Sequence, residues 1–188
     1  MKKLTFVFCL AASRSTWWSA ACNMVPGVIS LHDPSAHGLK LRIAEAFRST
    51  EHVIVFDTGA AAYHERLKML PIWPGIQLEF FGMLSTRIPK DPMLRAARVV
   101  LYPAFAEYLV TLPEEHIFYC EVAEDYVAFS RQLAQLTGSA LPFAKWRELS
   151  EAWIYTNPIH RPPFWADVSL RIKNPPPDLQ ENSPKSST

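Results

Sequence analysis

Four polar residues in a row, Ser13-Arg14-Ser15-Thr16, follow the apolar run Leu4 to Leu10 and lead into Trp17 and Trp18. Where a strand feeds a helix, such a stretch gathers hydroxyls, a guanidinium and the unpaired N–H groups of a first helical turn around one point. That is a cradle for phosphate or sulfate. The same residue types also serve as ordinary helix caps, and the residues alone leave both readings open. The glycines and lysine of an ATPase phosphate loop are missing. Group transfer to a hydroxyl further needs a base, and the candidates are His32 in SLHDPSAH, Asp57 closing VIVFDTG, and His64 in AAYHERL. Asp57 has the best position because it ends an apolar run. It could equally cap the helix beginning near Ala60, and His64 could sit on a solvated helix face. His37 is weaker still. The histidines lack metal-ligand spacing, so no metal is expected.

The elements that must carry these residues are legible as alternating apolar runs and helical periods. Leu4 to Leu10, His52 to Phe56, Ile76 to Leu84 and Ile117 to Cys120 read as at least four strands of a mostly parallel sheet. Helices are expected over 16–24, 38–48 (Leu39, Ile43, Ala46 and Phe47 on one side), 60–70, 93–111 and 125–136, the last before a Thr-Gly stop. Pro103 should kink or divide the long one. Trp146 to Trp165 reads as one more helix and an aromatic, Pro-rich wrap, and the polar NPPPDLQENSPKSST after Lys173 as disordered. The expectation is therefore an α/β three-layer sandwich of about four to five strands, one domain over residues 1–172 with a tail over 173–188. In such sheets ligands gather at the carboxyl ends of the strands, where Ser13 to Thr16 and Asp57 lie.

Composition sets the outer limits. The chain has 188 residues, 49% hydrophobic and 20% charged, enough for one sizeable core. A net charge of +1 provides no global field for nucleic acid or an anionic membrane, so neither partner is expected and any anion site is local. Cys9, Cys22 and Cys120 have neither zinc-finger nor CxxC spacing and read as reduced thiols of a cytoplasmic protein. The alternative is export: Met1-Lys2-Lys3, the short apolar run and Ser19-Ala20-Ala21-Cys22 have features of a signal over residues 1–21. Arg14 and the two tryptophans speak against it.

The motifs at the strand ends resemble those of the sulfotransferase family. Its 5′-phosphosulfate loop, Pro-Lys-Ser-Gly-Thr-Thr-Trp, matches Ala11 to Trp17 at Ser13, Thr16 and Trp17, with Ser15 as a conservative replacement. A phage-type variant, Pro-Arg-Ser-Arg-Thr-Ala-Trp, also supplies Arg14. The family's 3′-phosphate element, Arg-Asn-Pro-x-Asp with a serine eight residues after the arginine, resembles Arg87-Ile88-Pro89-Lys90-Asp91, with Arg95 in the serine place. HIFYCEVAED is similar to the late strand with its Tyr-Glu-Asp-like ending. The resemblance spans residues 1–140. It implies a P-loop-like fold of small phage or bacterial type and 3′-phosphoadenosine-5′-phosphosulfate as donor cosubstrate. Ser13, Arg14, Ser15, Thr16, Trp17, Arg87 and Arg95 would hold the donor, and a sulfuryl group would move to a hydroxyl or amine of an acceptor that the motifs do not specify.

Two departures bear on mechanism. Ala12 stands where the family has a lysine or arginine beside the loop serine, so Arg14 becomes the candidate cation for the leaving oxygen. The loop also has no glycine. A binding-only protein on the same fold therefore stays open, as does a nucleotide kinase-like enzyme, which the absent Gly-Lys-Ser/Thr disfavours. Trp73, Trp153, Tyr155, Phe164 and Trp165 could line an acceptor site or stack adenine, or belong to core and partner surface.

Overall fold

The computed structural model describes residues 1–11, 13–34, 38–69 and 74–151. Strands β1 (Lys2–Cys9), β2 (Val28–His32), β3 (His52–Asp57), β4 (Ile76–Leu84) and β5 (Ile117–Tyr119) form one all-parallel sheet in the order β2-β3-β1-β4-β5. Six α-helices are described with them: α1 (Ser15–Asn23), α2 (Leu39–Ala46), α3 (His64–Met69), α4 (Pro92–Leu109), α5 (Tyr126–Thr137) and α6 (Phe143–Glu151). The result is the α/β sandwich that the apolar runs imply.

β1 lies in the middle, with Leu4 paired to Val53 on one side and to Leu78 on the other. A strand covered on both faces must be apolar throughout, and every residue from Leu4 to Leu10 is buried. Removal of residues 1–21 would thus take out the centre of the sheet. The chain first moves outward from β1 to β2 and then reverses direction. Right-handed connections consequently place α1 on one face and α2, α3 and α4 on the other. The two cores follow: Trp18, Phe129, Leu133 and Leu149 cover Val7, Ile54 and Phe81, whereas Ile43, Leu67, Phe105 and Tyr108 cover Phe6, Phe8 and Val55.

Several sequence expectations change in detail. β2 is a strand that no apolar run announced. The segment from Ala60 is a 3-10 turn, Ala60–Tyr63, before the short α3. α4 is not divided at Pro103 but continues through it for 18 residues. Pro103 is exposed there, so water can take the carbonyl that its missing N–H leaves unpaired. α6 begins at Phe143, earlier than expected, and is described to Glu151. Trp73, the aromatic wrap with Trp153, Tyr155, Phe164 and Trp165, and the tail over 173–188 lie outside the described residues, as do Ala12 and His37. Cys9, Cys22 and Cys120 are free and buried. Among the described residues no helix is long and apolar enough to cross a membrane.

Candidate anion site at the strand ends

The loops leaving β1 and β4 run to opposite faces of the sheet, and the gap between such neighbours is where open α/β sheets hold ligands. Arg14 begins α1 in the left-handed conformation, φ 57°, and its side chain makes no capping hydrogen bond. An L-residue in that region costs roughly 1–2 kcal/mol, and the first helical turn keeps N–H groups without a side-chain cap. The Ser/Thr cap that the sequence allowed is not formed. The hydroxyls turn elsewhere: Ser15 Oγ lies 2.7 Å and Thr16 Oγ1 3.2 Å from Nε2 of His32, at the end of β2. His32 is buried. Asp33, also left-handed at φ 40°, accepts from the N–H and Oγ1 of Thr58 at 2.9 and 3.1 Å, which joins the ends of β2 and β3.

Arg14 reaches across the gap to Glu124, Nη2 to Oε1 at 3.1 Å. Arg87, from the loop after β4, donates to the same carboxylate oxygen through its own Nη2. Two guanidinium groups from separate strand ends thus meet on one anionic oxygen, which Glu124 supplies from the 3-10 turn after β5. The turn itself is anchored by Glu121, whose Oε1 accepts from Ser85 Oγ at 2.9 Å and from the N–H and Oγ1 of Thr86 at 3.0 and 3.1 Å. Burial pushes the Glu121 carboxyl up, but its own backbone N–H and the Ser85 and Thr86 hydrogen bonds outweigh that and hold it at about 2. Burial pushes Cys120 up to about 11, and burial with the Asp33 charge raises Cys9 further, so both remain thiols at neutral pH.

The remaining expected residues divide. Ser13 is 1% exposed; its Oγ is closed to solvent beside Cys9 and makes no hydrogen bond of ordinary geometry among the described residues. Trp17 belongs to the core side, with its indole N–H donating to Leu149 O at 3.2 Å and its ring against Phe129. Asp57 Oδ1 accepts from Gly59 N and Ala60 N at 2.7 and 2.9 Å, the capping role that the sequence held open. His64 packs edge-on to Tyr108 of α4, with Nδ1 3.2 Å from Ala61 O. Its Nε2 comes within 2.6 Å of Glu65 Oε1 without hydrogen-bond alignment. Arg95 donates to Pro89 O, in the loop after β4, through Nε and Nη2 at 3.3 and 3.2 Å.

Of the expected residues, the structure gathers Arg14 and Arg87 on one anion, and Ser15 and Thr16 on His32. Sequence reasoning assigned no role to Glu121, Glu124 or Arg98, whose guanidinium donates to Ser85 O and Arg87 O and pins the β4 loop. The two glutamates had a signal, because they follow an apolar run at the ligand edge as Asp57 does. Comparison with protein-family models, with curated proteins and with solved structures finds no match.

Proposed function

We propose that the strand ends bind a phosphorylated nucleotide donor and that the chain is a sulfotransferase-like enzyme. It would take 3′-phosphoadenosine-5′-phosphosulfate and pass the sulfuryl group to a hydroxyl or amine. The observation that carries the reading is the meeting of Arg14 and Arg87 on Glu124 Oε1. Two guanidinium groups directed at one oxygen form a ready seat for a phosphate or sulfate once the carboxylate swings out. The uncapped start of α1 adds N–H donors and the positive end of its dipole. The loop motif, through its resemblance to the phosphosulfate loop, narrows the anion to that donor.

In this reading Arg14 neutralises the phosphate oxygen as its bond to sulfur breaks. Once the carboxylate has left, the two guanidinium groups part: Arg14 stays with the first phosphate, and Arg87, on the loop that resembles the family's 3′-phosphate element, turns to the second. Ser15 and Thr16 are set by His32 and orient the transferring group. The acceptor oxygen or nitrogen forms the new bond to sulfur and gives up its proton; of the three sequence candidates, His32 meets the loop hydroxyls of Ser15 and Thr16 and is assigned as base. A second reading, nucleotide binding without transfer, is favoured by Glu124 itself, which occupies both arginines, and by Ala12. Transfer of label from the phosphosulfate donor to a panel of phenols, sugars and amines distinguishes the two. Turnover that Arg14→Ala removes supports the enzyme, and donor binding with no transfer to any acceptor supports the binding protein.

A further inference from the structure

One ring nitrogen serves two hydroxyls where β2 ends and α1 begins. Nε2 of His32 lies 2.7 Å from Ser15 Oγ and 3.2 Å from Thr16 Oγ1. That nitrogen carries either a lone pair or a hydrogen, and the two states treat the hydroxyls in opposite ways. With a lone pair it draws a hydroxyl hydrogen inward, and that hydroxyl presents only its oxygen to the loop. With a hydrogen it donates, and the hydroxyl hydrogens are released to point outward. In the imidazolium both ring nitrogens carry hydrogens, so Nε2 is then a donor whichever neutral tautomer precedes it.

The surroundings make the charge of His32 count. His32 is 8% and Ser15 6% exposed, so a charge at this point is weakly screened. Asp33 Oδ2, 3.6 Å from Nε2, favours the imidazolium, and burial opposes it. Asp57 ends β3 one residue after Phe56, the partner of His32 in the sheet, and its Oδ1 is engaged by the N–H groups of Gly59 and Ala60. Helix α1 has no charged side chain, and Arg14 before it is turned to Glu124. Cys9 of β1 stays a neutral thiol. An anion arriving at the uncapped start of α1 adds negative charge within reach of Ser15 and Thr16, and tips this balance toward the imidazolium.

We propose that anion binding at this loop is linked to the uptake of one proton by His32. The proton comes from solvent and returns to it when the anion leaves. The imidazolium donates Nε2–H to one hydroxyl, and Ser15 and Thr16 turn their own hydrogens to the anion. The inference rests on the proposed anion site and concerns the binding step. Transfer, in which His32 acts as base, needs the neutral ring and should decline with falling pH while binding tightens.

Calorimetric titration of the full chain with sulfate, which keeps its charge across the range, reads the linkage. From about pH 8 to about pH 6, the window in which histidine titrates, affinity should rise about tenfold. At a fixed pH inside that window, the heat of binding should vary with the ionisation enthalpy of the buffer in the sense of proton uptake. Glu124→Gln should keep the pH dependence, and His32→Gln should abolish it. The buffer comparison needs only the wild-type chain and decides the matter even where His32→Gln does not fold. Affinity level with pH, heat independent of buffer, or a pH dependence that persists in His32→Gln or vanishes in Glu124→Gln overturns the proposal and leaves the anion site standing. Absence of saturable sulfate binding at every pH overturns both.

Discussion

Arg14 and Arg87 leave the sheet from different strands, β1 and β4, and donate to one and the same oxygen, Oε1 of Glu124. Neither pairing contributes much to folding, because all three side chains are substantially exposed and exposed pairs are worth about 0–1 kcal/mol. The consequence is for binding: in the proposed reading, an external anion has to displace an internal one from the two guanidinium groups.

Glu124→Gln should therefore tighten sulfate and bisphosphate nucleotide by about tenfold, the scale of one displaced charge interaction, while the melting temperature hardly moves. Calorimetric titration with sulfate beside thermal unfolding gives both quantities. Unchanged or weaker sulfate binding would show that Glu124 helps to build the seat instead of occupying it.

Arg14→Ala removes the only side-chain cation of the β1 loop and should depress turnover at saturating donor by ~10²-fold or more, the usual effect of losing a preorganised charge at a leaving oxygen. Ala12→Lys, which returns the cation of the resembled family, should restore part of it. Steady-state transfer rates with measured donor affinity check this, and an Arg14→Ala protein with wild-type turnover leaves Arg14 as a helix-start residue only.

Ser15 and His32, 2.7 Å apart, should be coupled. In a double-mutant cycle of Ser15→Ala and His32→Gln, the interaction term in urea unfolding is expected at about 0.5–1.5 kcal/mol, the net worth of one hydrogen bond. Donor binding should weaken in each single variant because the hydroxyl loses its orientation. A coupling near zero would mean that the two side chains merely lie close.

How much of this was legible beforehand follows from where polar groups find partners. β1, β3, β4 and β5 are apolar enough to read directly. β2 is only VISLH, and its Ser30 and His32 look wrong for a buried strand until their partners are seen. Ser19 Oγ meets Ser30 Oγ at 2.8 Å, Asn23 exchanges two bonds with the Ser30 backbone, and Ser15 meets His32. Helix α1 thus satisfies the strand's polar atoms, a tertiary fact that no local pattern carries. The left-handed Arg14 was equally hidden, since that conformation usually announces itself by glycine. Arg87 drew notice through its motif, but the pairing it makes with Glu124 was not part of that reading. Glu124 was missed because its role depends on two arginines, one 110 and the other 37 residues away in the chain.

Stability should fall in two separate steps as pH drops. His52 is held at about 4, below its ordinary 6.5, because burial disfavours the imidazolium and the Lys3 charge adds to that. Its contribution is full above pH 6.5 and declines towards pH 4, where the unfolded chain takes up a proton that the folded one refuses. Glu121, held at about 2 against an ordinary 4.5, contributes above pH 4.5 and loses that contribution as pH falls towards 2. Urea midpoints across this range should show the first step flattened in His52→Gln and the second in Glu121→Gln. A wild-type midpoint that stays level from neutral pH to about pH 4 contradicts the His52 assignment.

One titration tests most directly whether Arg14 and Arg87 seat a nucleotide's phosphates. 3′-Phosphoadenosine 5′-phosphate is compared with 5′-AMP, ATP and sulfate on the wild-type chain and on Arg87→Ala. The bisphosphate should bind tightest to the wild type. Arg87→Ala should weaken it by about 1.5–3 kcal/mol, the range for hydrogen bonds to charged groups, and leave 5′-AMP nearly unchanged because that molecule lacks the second phosphate. If the bisphosphate binds no better than 5′-AMP or ATP, or if Arg87→Ala weakens all of them alike, the nucleotide account of this site is contradicted.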